Sequence, residues 1–446
     1  MSCRILTLTD ESTWSELLNL LAGRVDPKQT VEADVRVMLD AVLQGGDTAV
    51  LDYTRRFDCP DMALPLRIPA EELDRATIAP ESLRCIREAA DNIRAFHEAQ
   101  KDRSWFLTRE DGTVLGQQIT PVDRVGLYVP GGKGGETPLI SSLLMTAIPA
   151  QVAGVREIAV VSPPRKDGTL NPHILATARL LGLTELYRMG GAWAVGALAY
   201  GTASVPSVDV IAGPGNIWVA TAKRLVQGRV GIDMIAGPSE VLILADGSAR
   251  PDWIAADMLS QAEHDTLASA ICLTADRDLA TAVLAELERQ VATLPRAAIA
   301  QKALADWSAV ALVPDMDVAI TLANRIAPEH LEVLMDNPWS VLPRIRNAGA
   351  VFLGAYAPEP LGDYFAGPNH VLPTLGTARF SSALSVQTFC KRTSVIAASP
   401  AFAQHNADTV ACLARMECLE AHARSMESRK ECPTNNVQPI RKASCK

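Results

Sequence analysis

Short apolar runs alternate with longer amphipathic stretches through the middle of the chain. Runs that end at Gly or Pro are typical of buried parallel strands. They cover residues 124–129, 157–162, 185–189, 208–212, 240–245 and 268–274. Segments of helix length separate them, at residues 141–152, 172–181, 192–200, 217–226, 253–263 and 279–294. Because strand and helix alternate, the pattern predicts an α/β fold built from βαβ units.

The regions on either side have patterns of their own. Before residue 120 helices alternate with turns, and residues 80–100 predict an amphipathic helix because apolar side chains recur there at helical spacing. A later stretch repeats the strand and helix pattern at 308–313, 318–324 and 350–353, which suggests a second, similar core. After about residue 393 the composition is helical, and we expect the last dozen residues to form a frayed tail.

Composition narrows the class of protein. A chain of 446 residues is long enough for two or more cores, and no apolar run reaches membrane-spanning length. The N-terminus lacks the long apolar middle of a signal peptide, so we expect a cytoplasmic protein. A formal net charge of −9 without a basic cluster disfavours nucleic acid and favours a small-molecule partner. The nine cysteines include no CxxC pair, and we interpret them as reduced thiols.

Glycine turns follow several of the predicted strands. They lie at residues 130–135, 190–191, 213–216 and 236–240. Ligands of open parallel sheets bind at the carboxyl ends of strands, where glycine lets the backbone approach a pyrophosphate. Each turn alone is more often structural, but their clustering favours a ligand site. The sequence contains no GxGxxG motif, so a dinucleotide site here would be non-standard.

A first candidate metal-binding segment is the predicted helix capped by Asp252. It places Gln261 and His264 three residues apart on one face. An imidazole with an oxygen donor suits Zn²⁺, although the pair alone leaves the metal under-coordinated. The alternative is an ordinary helix end with an exposed polar face.

A second candidate is the Pro328-Glu329-His330 sequence, which we expect to begin a helix. Glu329 and His330 could be ordinary helix-start residues. Alternatively, a carboxylate beside an imidazole can divide base catalysis, one group taking the alcohol proton and the other activating water. A helix N-terminus would keep His330 neutral and available as a base.

Two further segments carry candidate ligands. Residues 361–364 and 367–370 form a predicted loop dense in Gly and Pro that carries Asp363 and His370. Glu417 and His422 lie in the terminal helical segment, where a solvated helix face is the simpler interpretation. Spacing alone does not bring these segments together.

From Arg124 to His370, and again at the tail helix from Glu417 to His422, the chain resembles histidinol dehydrogenase. The resemblance covers most of the chain and rests on specific motifs that occur in order. They are RVGLYVPGGKGGETP, AIPAQVAGV, VIAGPGNIWVATAKRL, GIDMIAGPSEVLILAD, LSQAEHD, APEHLE and GDYFAGPNHVLPT.

The resemblance implies a role for each candidate residue. The zinc ligands of the family correspond to Gln261, His264, Asp363 and His422, and its catalytic bases to Glu329 and His330. Substrate contacts of the family fall on Ser239, His370 and Glu417, and on the metal ligands and His330. The NAD contacts correspond to Tyr128 and Asn216. At the third NAD position this chain has Trp193 where many members have Gln, so a hydrogen bond to NAD would be lost, although the indole ring could still stack or pack there.

The resemblance also implies an architecture and a reaction. The expected fold has two incomplete Rossmann-like parallel-sheet domains and small helical terminal domains. Their expected bounds are 1–24 for an N-terminal helical arm, 25–120 with 235–378 for the first Rossmann-like domain, 121–234 for the second, and 379–446 for the C-terminal tail domain. The expected assembly is a homodimer whose tails complete the neighbouring sites. The implied reaction is the NAD-linked oxidation of L-histidinol through histidinaldehyde to L-histidine, the last step of histidine biosynthesis, with one Zn²⁺ per subunit.

Three alternatives stay open at this point. A relative that acts on another polar alcohol, such as a sulfonated diol, would keep the zinc and base residues but change the substrate contacts. A zinc hydrolase could use the same metal and a Glu-activated water without NAD. A non-catalytic NAD-binding protein is disfavoured, because no matched metal or base residue is missing.

Overall fold

The computed structural model describes residues 3–24 and 31–430. The predicted frayed tail lies outside these ranges, as do two of the nine cysteines, Cys432 and Cys445. The chain forms two compact units: a larger one within residues 1–101 and 121–389, and a smaller one within residues 102–120 and 390–446. None of the described helices is both long enough and apolar enough to cross a membrane.

The described ranges contain the following strands and helices. The strands are β1 (Arg4–Thr7), β2 (Trp105–Thr108), β3 (Val114–Pro121), β4 (Arg124–Tyr128), β5 (Glu157–Ser162), β6 (Glu185–Arg188), β7 (Val210–Ala212), β8 (Gly231–Ile232), β9 (Glu240–Ala245), β10 (Ser269–Thr274), β11 (Ala309–Leu312), β12 (His330–Leu334), β13 (Ala350–Leu353) and β14 (Cys390–Ala397). The helices are α1 (Glu11–Ala22), α2 (Glu32–Phe57), α3 (Ala70–Arg75), α4 (Pro80–Glu98), α5 (Ile140–Ala153), α6 (Pro172–Leu180), α7 (Gly191–Tyr200), α8 (Ile217–Val226), α9 (Pro251–Ala262), α10 (Arg277–Val291), α11 (Ala297–Trp307), α12 (Met316–Ile326), α13 (Glu359–Tyr364), α14 (Pro400–Met416) and α15 (Glu420–Glu427).

The larger unit contains two parallel sheets with helices on both faces. One sheet has six strands in the order β1-β11-β10-β9-β12-β13, covered by α9, α10 and α11 on one face and by α1 and α12 on the other. The other has five strands in the order β6-β5-β4-β7-β8, with α2, α7 and α8 on one face and α5 and α6 on the other. Strands covered on both faces need nearly continuous apolar sequence, which explains the uniform apolar runs. The predicted α/β class with parallel sheets is confirmed.

The smaller unit combines a three-stranded sheet with a helical pair. Its sheet has the order β14-β3-β2, with β2 and β3 antiparallel, and α14 packs against α15. The helical composition after about residue 393 predicted these helices but not β14, which extends to Ala397. The proposed division into four domains stays a prediction.

Three local predictions were wrong in ways that affect the site. Glu329 and His330 do not begin a helix: α12 ends at Ile326, Ala327 takes a left-handed conformation (φ 51°), and the chain enters β12 between β9 and β13. Asp363 lies on the short helix α13 and not in a loop. Asp252 does not cap α9 but lies in its first turn, after Pro251 at the first helical position.

Candidate active site

The predicted base pair lies at the start of β12 and is almost completely buried. The backbone N–H of Glu240 donates to Oε2 of Glu329 at 2.8 Å. Nδ1 of His330 lies 2.9 Å from the carbonyl oxygen of the same Glu240. A carbonyl oxygen only accepts hydrogen bonds, so Nδ1 carries the proton and Nε2 is the basic nitrogen of the neutral ring. The main chain of one residue therefore orients both members of the pair.

Neighbouring charges control how this pair titrates. Burial raises the pKa of Glu329 far above its usual range. Burial opposes a charge on His330, but the carboxylates of Glu329 and Asp363 outweigh it and raise the pKa of the imidazole. Nδ1 of His330 lies 3.6 Å from Oε2 of Glu329, and Nε2 lies 3.5 Å from Oδ1 of Asp363. These carboxylates favour the protonated ring, so the expectation that a helix N-terminus keeps His330 neutral was wrong.

Next to the pair, three side chains could hold a metal ion. His264, Glu359 and Asp363 each offer a ligand atom within 4.8 Å of the others. His264 follows the end of α9, and both carboxylates lie one turn apart on α13. One imidazole with carboxylate oxygens is a donor set that Zn²⁺ accepts.

The carboxylates of this cluster have different protonation states. Although burial opposes ionisation, the nearby rings of His330 and His370 lower the pKa of Asp363 to about 2. Burial and the neighbouring Asp363 raise the pKa of Glu359 to about 8. Oε2 of Glu359 accepts a hydrogen bond from the hydroxyl of Ser260 at 3.0 Å. Asp363 is therefore ionised at neutral pH, and Glu359 is largely protonated as long as no cation is bound.

Gln261 supplies an independent observation at the same place. Its side chain is fully buried on α9, and neither its amide oxygen nor its amide nitrogen has a hydrogen-bond partner among the described residues. Such groups are costly and are rare in native structures. A metal ion is a natural partner for the amide oxygen, so the residues present here fit the zinc site that the resemblance implies.

A large cavity opens in front of the base pair. Its volume is about 1040 Å³, and its wall includes His330, Asp363 and His370. Nδ1 of His370 lies 3.0 Å from the carbonyl oxygen of Asp363, which orients the ring. Ser239 is half-buried and precedes β9 directly. Ser239 and His330 lie at the amino ends of β9 and β12, and the glycine turn at 236–240 connects the end of β8 to the start of β9.

The other three glycine turns line a separate cavity of about 500 Å³ at the carboxyl edge of the five-stranded sheet. Tyr128, Trp193 and Asn216, the three expected NAD contacts, all lie in its wall. The backbone N–H of Gly191 donates to the Tyr128 hydroxyl at 3.1 Å. Gly213 has φ 120°, and a Cβ atom there would lie 2.1 Å from the carbonyl oxygen of Tyr128, so only glycine fits. The expectation of a ligand site at these turns agrees with this shape.

Trp193 is held on the wall of this second cavity. Its Nε1 donates to the hydroxyl of Thr54 at 3.1 Å, and its ring stacks on Phe57 with centroids 5.4 Å apart. The indole nitrogen is thus satisfied within the protein. Trp193 can offer a ligand its apolar ring but not its N–H group.

Glu417 and His422 belong to the smaller unit. Glu417 follows the end of α14, His422 lies on α15, and both side chains are exposed. The larger unit thus brings together Gln261, His264, Asp363, Glu329, His330 and His370. That Glu417 and His422 join them stays a prediction.

Two residues of the site were missed from the sequence. Glu359 lies four residues before Asp363, and this spacing on a helix was a usable signal. Glu240 acts mainly through its backbone groups, which no residue pattern reveals.

Comparison with known proteins gives a consistent result. The family model for histidinol dehydrogenase matches residues 23–430. A histidinol dehydrogenase of Nitratidesulfovibrio vulgaris is 68% identical over 432 residues, which cover 96% of this chain and 99% of that protein. A histidinol dehydrogenase of Bacillus subtilis is 49% identical over 96% of this chain and 99% of its own length. The crystal structure of histidinol dehydrogenase from Elizabethkingia anophelis superimposes with a TM-score of 0.90 at 35% identity, covering 96% of this chain and 98% of that one.

Proposed function

The chain belongs to the histidinol dehydrogenase family, and from this we propose that it oxidises L-histidinol through histidinaldehyde to L-histidine, with one zinc ion per subunit and NAD as the oxidant. That it is an oxidoreductase of the histidinol dehydrogenase type follows from the family match. The observation that carries the finer proposal is the buried Glu329–His330 pair, whose Nε2 lies beside the Asp363 and His264 cluster.

His330 is the base for the alcohol step. Its Nδ1–H is bound to the carbonyl of Glu240, so Nε2 is the nitrogen that takes the hydroxyl proton. Oε2 of Glu329 lies 3.6 Å from Nδ1 of the same ring, so the carboxylate stabilises the imidazolium that forms when Nε2 takes the proton. In the aldehyde step Glu329 activates the water that hydrates the carbonyl, and the hydrate then presents a second C–H and O–H pair to the same base.

Gln261, His264, Asp363 and His422 would hold the zinc ion, and Glu359 is close enough to replace or support one of them. When bound, the ion supplies a Lewis-acid centre that anchors and polarises the substrate. Ser239, His370 and Glu417 complete the substrate contacts, together with the metal ligands and His330. The ionised Asp363 on the cavity wall suits an amino alcohol with a cationic group.

The cavity lined by Tyr128, Trp193 and Asn216 is the site that we assign to NAD. When bound, NAD accepts the hydride that leaves the substrate carbon. Three glycine turns allow close backbone approach to the pyrophosphate, and Asn216 caps the N-terminus of α8 by accepting from Trp218 N–H and Val219 N–H.

We also propose a homodimer in which His422 and Glu417 of one subunit complete the site of the other. The exposed side of His264 leaves room for a ligand from outside the larger unit. In the smaller unit, apolar side chains flank Glu417 and are exposed to solvent, namely Leu413 at 57%, Met416 at 73% and Leu419 at 41%. Apolar surface of this kind usually marks a contact with another chain.

The test of the chemistry uses Glu329→Gln. We expect the rate of histidinaldehyde oxidation to fall by about 10²- to 10⁴-fold, because the water that hydrates the aldehyde no longer has a general base to activate it. NADH formation from histidinol and from the aldehyde is followed by absorbance, with Glu288→Gln, an exposed carboxylate on α10, as the control. An unchanged aldehyde rate would contradict the role of Glu329. NADH formation that a zinc chelator leaves unaffected would contradict the zinc site, and no NADH at all would favour a hydrolase.

The test of the dimer mixes two inactive variants. Glu329→Gln and His422→Ala are co-expressed, so that a mixed dimer contains one site with both defects and one intact site. If the tail completes the neighbouring site, activity returns to about a quarter of the wild-type value for random pairing. If each site is formed within one chain, the mixture stays as inactive as the separate variants.

A further inference from the structure

One charged side chain in the cavity assigned to NAD is not explained by the chemistry above. Asp58 follows the last residue of α2 and lines this cavity together with Tyr128, Gly191 and Trp193. Among the described residues of the wall it is the only one that carries a charge. The rest of the described wall is glycine, proline, aromatic rings, a methionine and an amide.

The carboxylate of Asp58 has no evident structural role. Its Oδ2 is buried and has no hydrogen-bond partner among the described residues. The backbone N–H of Asp58 donates to the carbonyl of Thr54 at 2.9 Å and ends the helix without help from the side chain. A negative charge at a helix C-terminus is unfavourable, because that end of the helix is itself negative. Helix stability therefore does not account for an aspartate here.

The protonation state of Asp58 suits a hydrogen-bond acceptor that lacks a donor within the protein. Burial raises its pKa to about 6, so the group is still mostly ionised at neutral pH. An ionised carboxylate only accepts hydrogen bonds, and leaving a buried oxygen unpaired is costly. A ligand whose hydroxyl groups reach Asp58 would satisfy this oxygen by hydrogen bonding. A ligand with a phosphate there would instead place a second negative charge beside the carboxylate.

We propose that Asp58 accepts hydrogen bonds from the ribose hydroxyls of the adenosine half of NAD, and that it thereby makes the enzyme select NAD over NADP. The two dinucleotides differ only at the adenosine ribose, where NADP carries a 2′-phosphate in place of a hydroxyl. In Rossmann folds an acidic side chain often makes this distinction. Here the carboxylate comes from the end of α2 and not from a strand of the sheet. The inference rests on the proposed NAD-linked function.

The experiment compares Asp58→Asn with the wild-type enzyme. The amide has the shape of the carboxylate but no charge, and Asp58→Ser serves as a second variant that also removes the charge. The control is Asp52→Asn, which removes the same charge from an exposed position on the same helix. Binding of NAD⁺ and of NADP⁺ is measured without histidinol by quenching of tryptophan fluorescence, since Trp193 and Trp218 line the cavity. Steady-state kinetics with each dinucleotide are recorded in parallel.

We expect Asp58→Asn to weaken NAD⁺ binding by about ten- to a hundred-fold, the value of a charge-assisted hydrogen bond, and to leave NADP⁺ binding equal or tighter. The ratio of the two dissociation constants should therefore change by at least about tenfold, and Asp52→Asn should not change it. Equal weakening of both dinucleotides, or no weakening of either, would overturn the inference while NAD-linked oxidation stands. A wild-type enzyme that binds neither dinucleotide would overturn the proposed function itself.

Discussion

The buried ion pair of Arg24 and Glu240 should support both the stability of the larger unit and the geometry of the base pair. The two side chains are 2% and 5% exposed. Oε1 of Glu240 also accepts from the backbone N–H of Leu375 at 2.9 Å. The main chain of the same Glu240 holds Glu329 at 2.8 Å and His330 at 2.9 Å. Replacing Arg24 by Met therefore leaves a buried carboxylate with one weak partner, directly beside the catalytic groups.

The expected loss follows from the cost of an unpaired buried charge. Removing one partner of a buried ion pair typically costs about 3–5 kcal/mol. The carboxylate can escape by protonation or by moving towards water, and movement would displace the backbone that orients Glu329 and His330. A displacement of about 1 Å at a catalytic group can cost on the order of 10²-fold in rate. We expect kcat to fall, and binding of NAD⁺ to stay unchanged, because the other cavity lies on a different sheet.

The assay combines urea unfolding with steady-state kinetics. The control is Arg36→Met, the same substitution in the exposed pair of Arg36 with Glu32, where the loss should stay below about 0.5 kcal/mol. In the double variant Arg24→Met with Glu240→Gln no charge is left unpaired, so part of the stability should return. The reasoning is refuted if Arg24→Met costs no more than Arg36→Met, or if the double variant is as unstable as the sum of the single ones.

Two further predictions concern other parts of the larger unit. Gln261→Leu should abolish zinc binding, measured as the metal content of the purified protein. It should also raise the melting temperature of the chelator-treated protein, because it removes a buried amide that has no hydrogen-bond partner among the described residues. A lower melting temperature would show that the amide is satisfied. Burial opposes ionisation of Glu185, but hydrogen bonds from Arg124 and Tyr187 lower the pKa of this carboxyl group. The ionised carboxylate therefore stabilises the fold at pH values above the ordinary pKa of 4.5, and this stabilisation is lost as the pH falls through the lower pKa of the folded state. Urea unfolding of Glu185→Gln should accordingly show a smaller loss of stability on acidification than the wild type, and identical pH profiles would contradict the assignment.

Much of the fold could be predicted from the sequence because it depends on local patterns. Strands 157–162, 240–245 and 350–353 have the predicted bounds, because each is made mainly of apolar residues; the first two are largely buried, and the third is a half-buried edge strand. The start of β12 was predicted wrongly for a physical reason. Pro followed by Glu is typical of a helix start, but pairing with β9 and β13 on both sides outweighs that local preference.

The candidate site could be predicted only where side chains carry the chemistry. Gln261 and His264 share one helix, and their spacing indicated a possible ligand pair. That Asp363 approaches His264 depends on the packing of α13 near α9, about a hundred residues along the chain, and no spacing rule contains it. For these residues the family resemblance supplied what the pattern could not.

The most instructive failure is the rule that placed every glycine turn at the carboxyl end of a strand. The rule holds for the turns after β4, β6 and β7, which line the cavity assigned to NAD. It fails for residues 236–240, because this turn leaves one sheet after β8 and enters the other at β9. The backbone groups that it presents are therefore those of a strand start, and the N–H and carbonyl of Glu240 are free to bind Glu329 and His330. The candidate base pair lies at the amino edge of one parallel sheet, and the cavity assigned to NAD lies at the carboxyl edge of another. This arrangement follows from a single crossover whose direction the sequence does not encode locally.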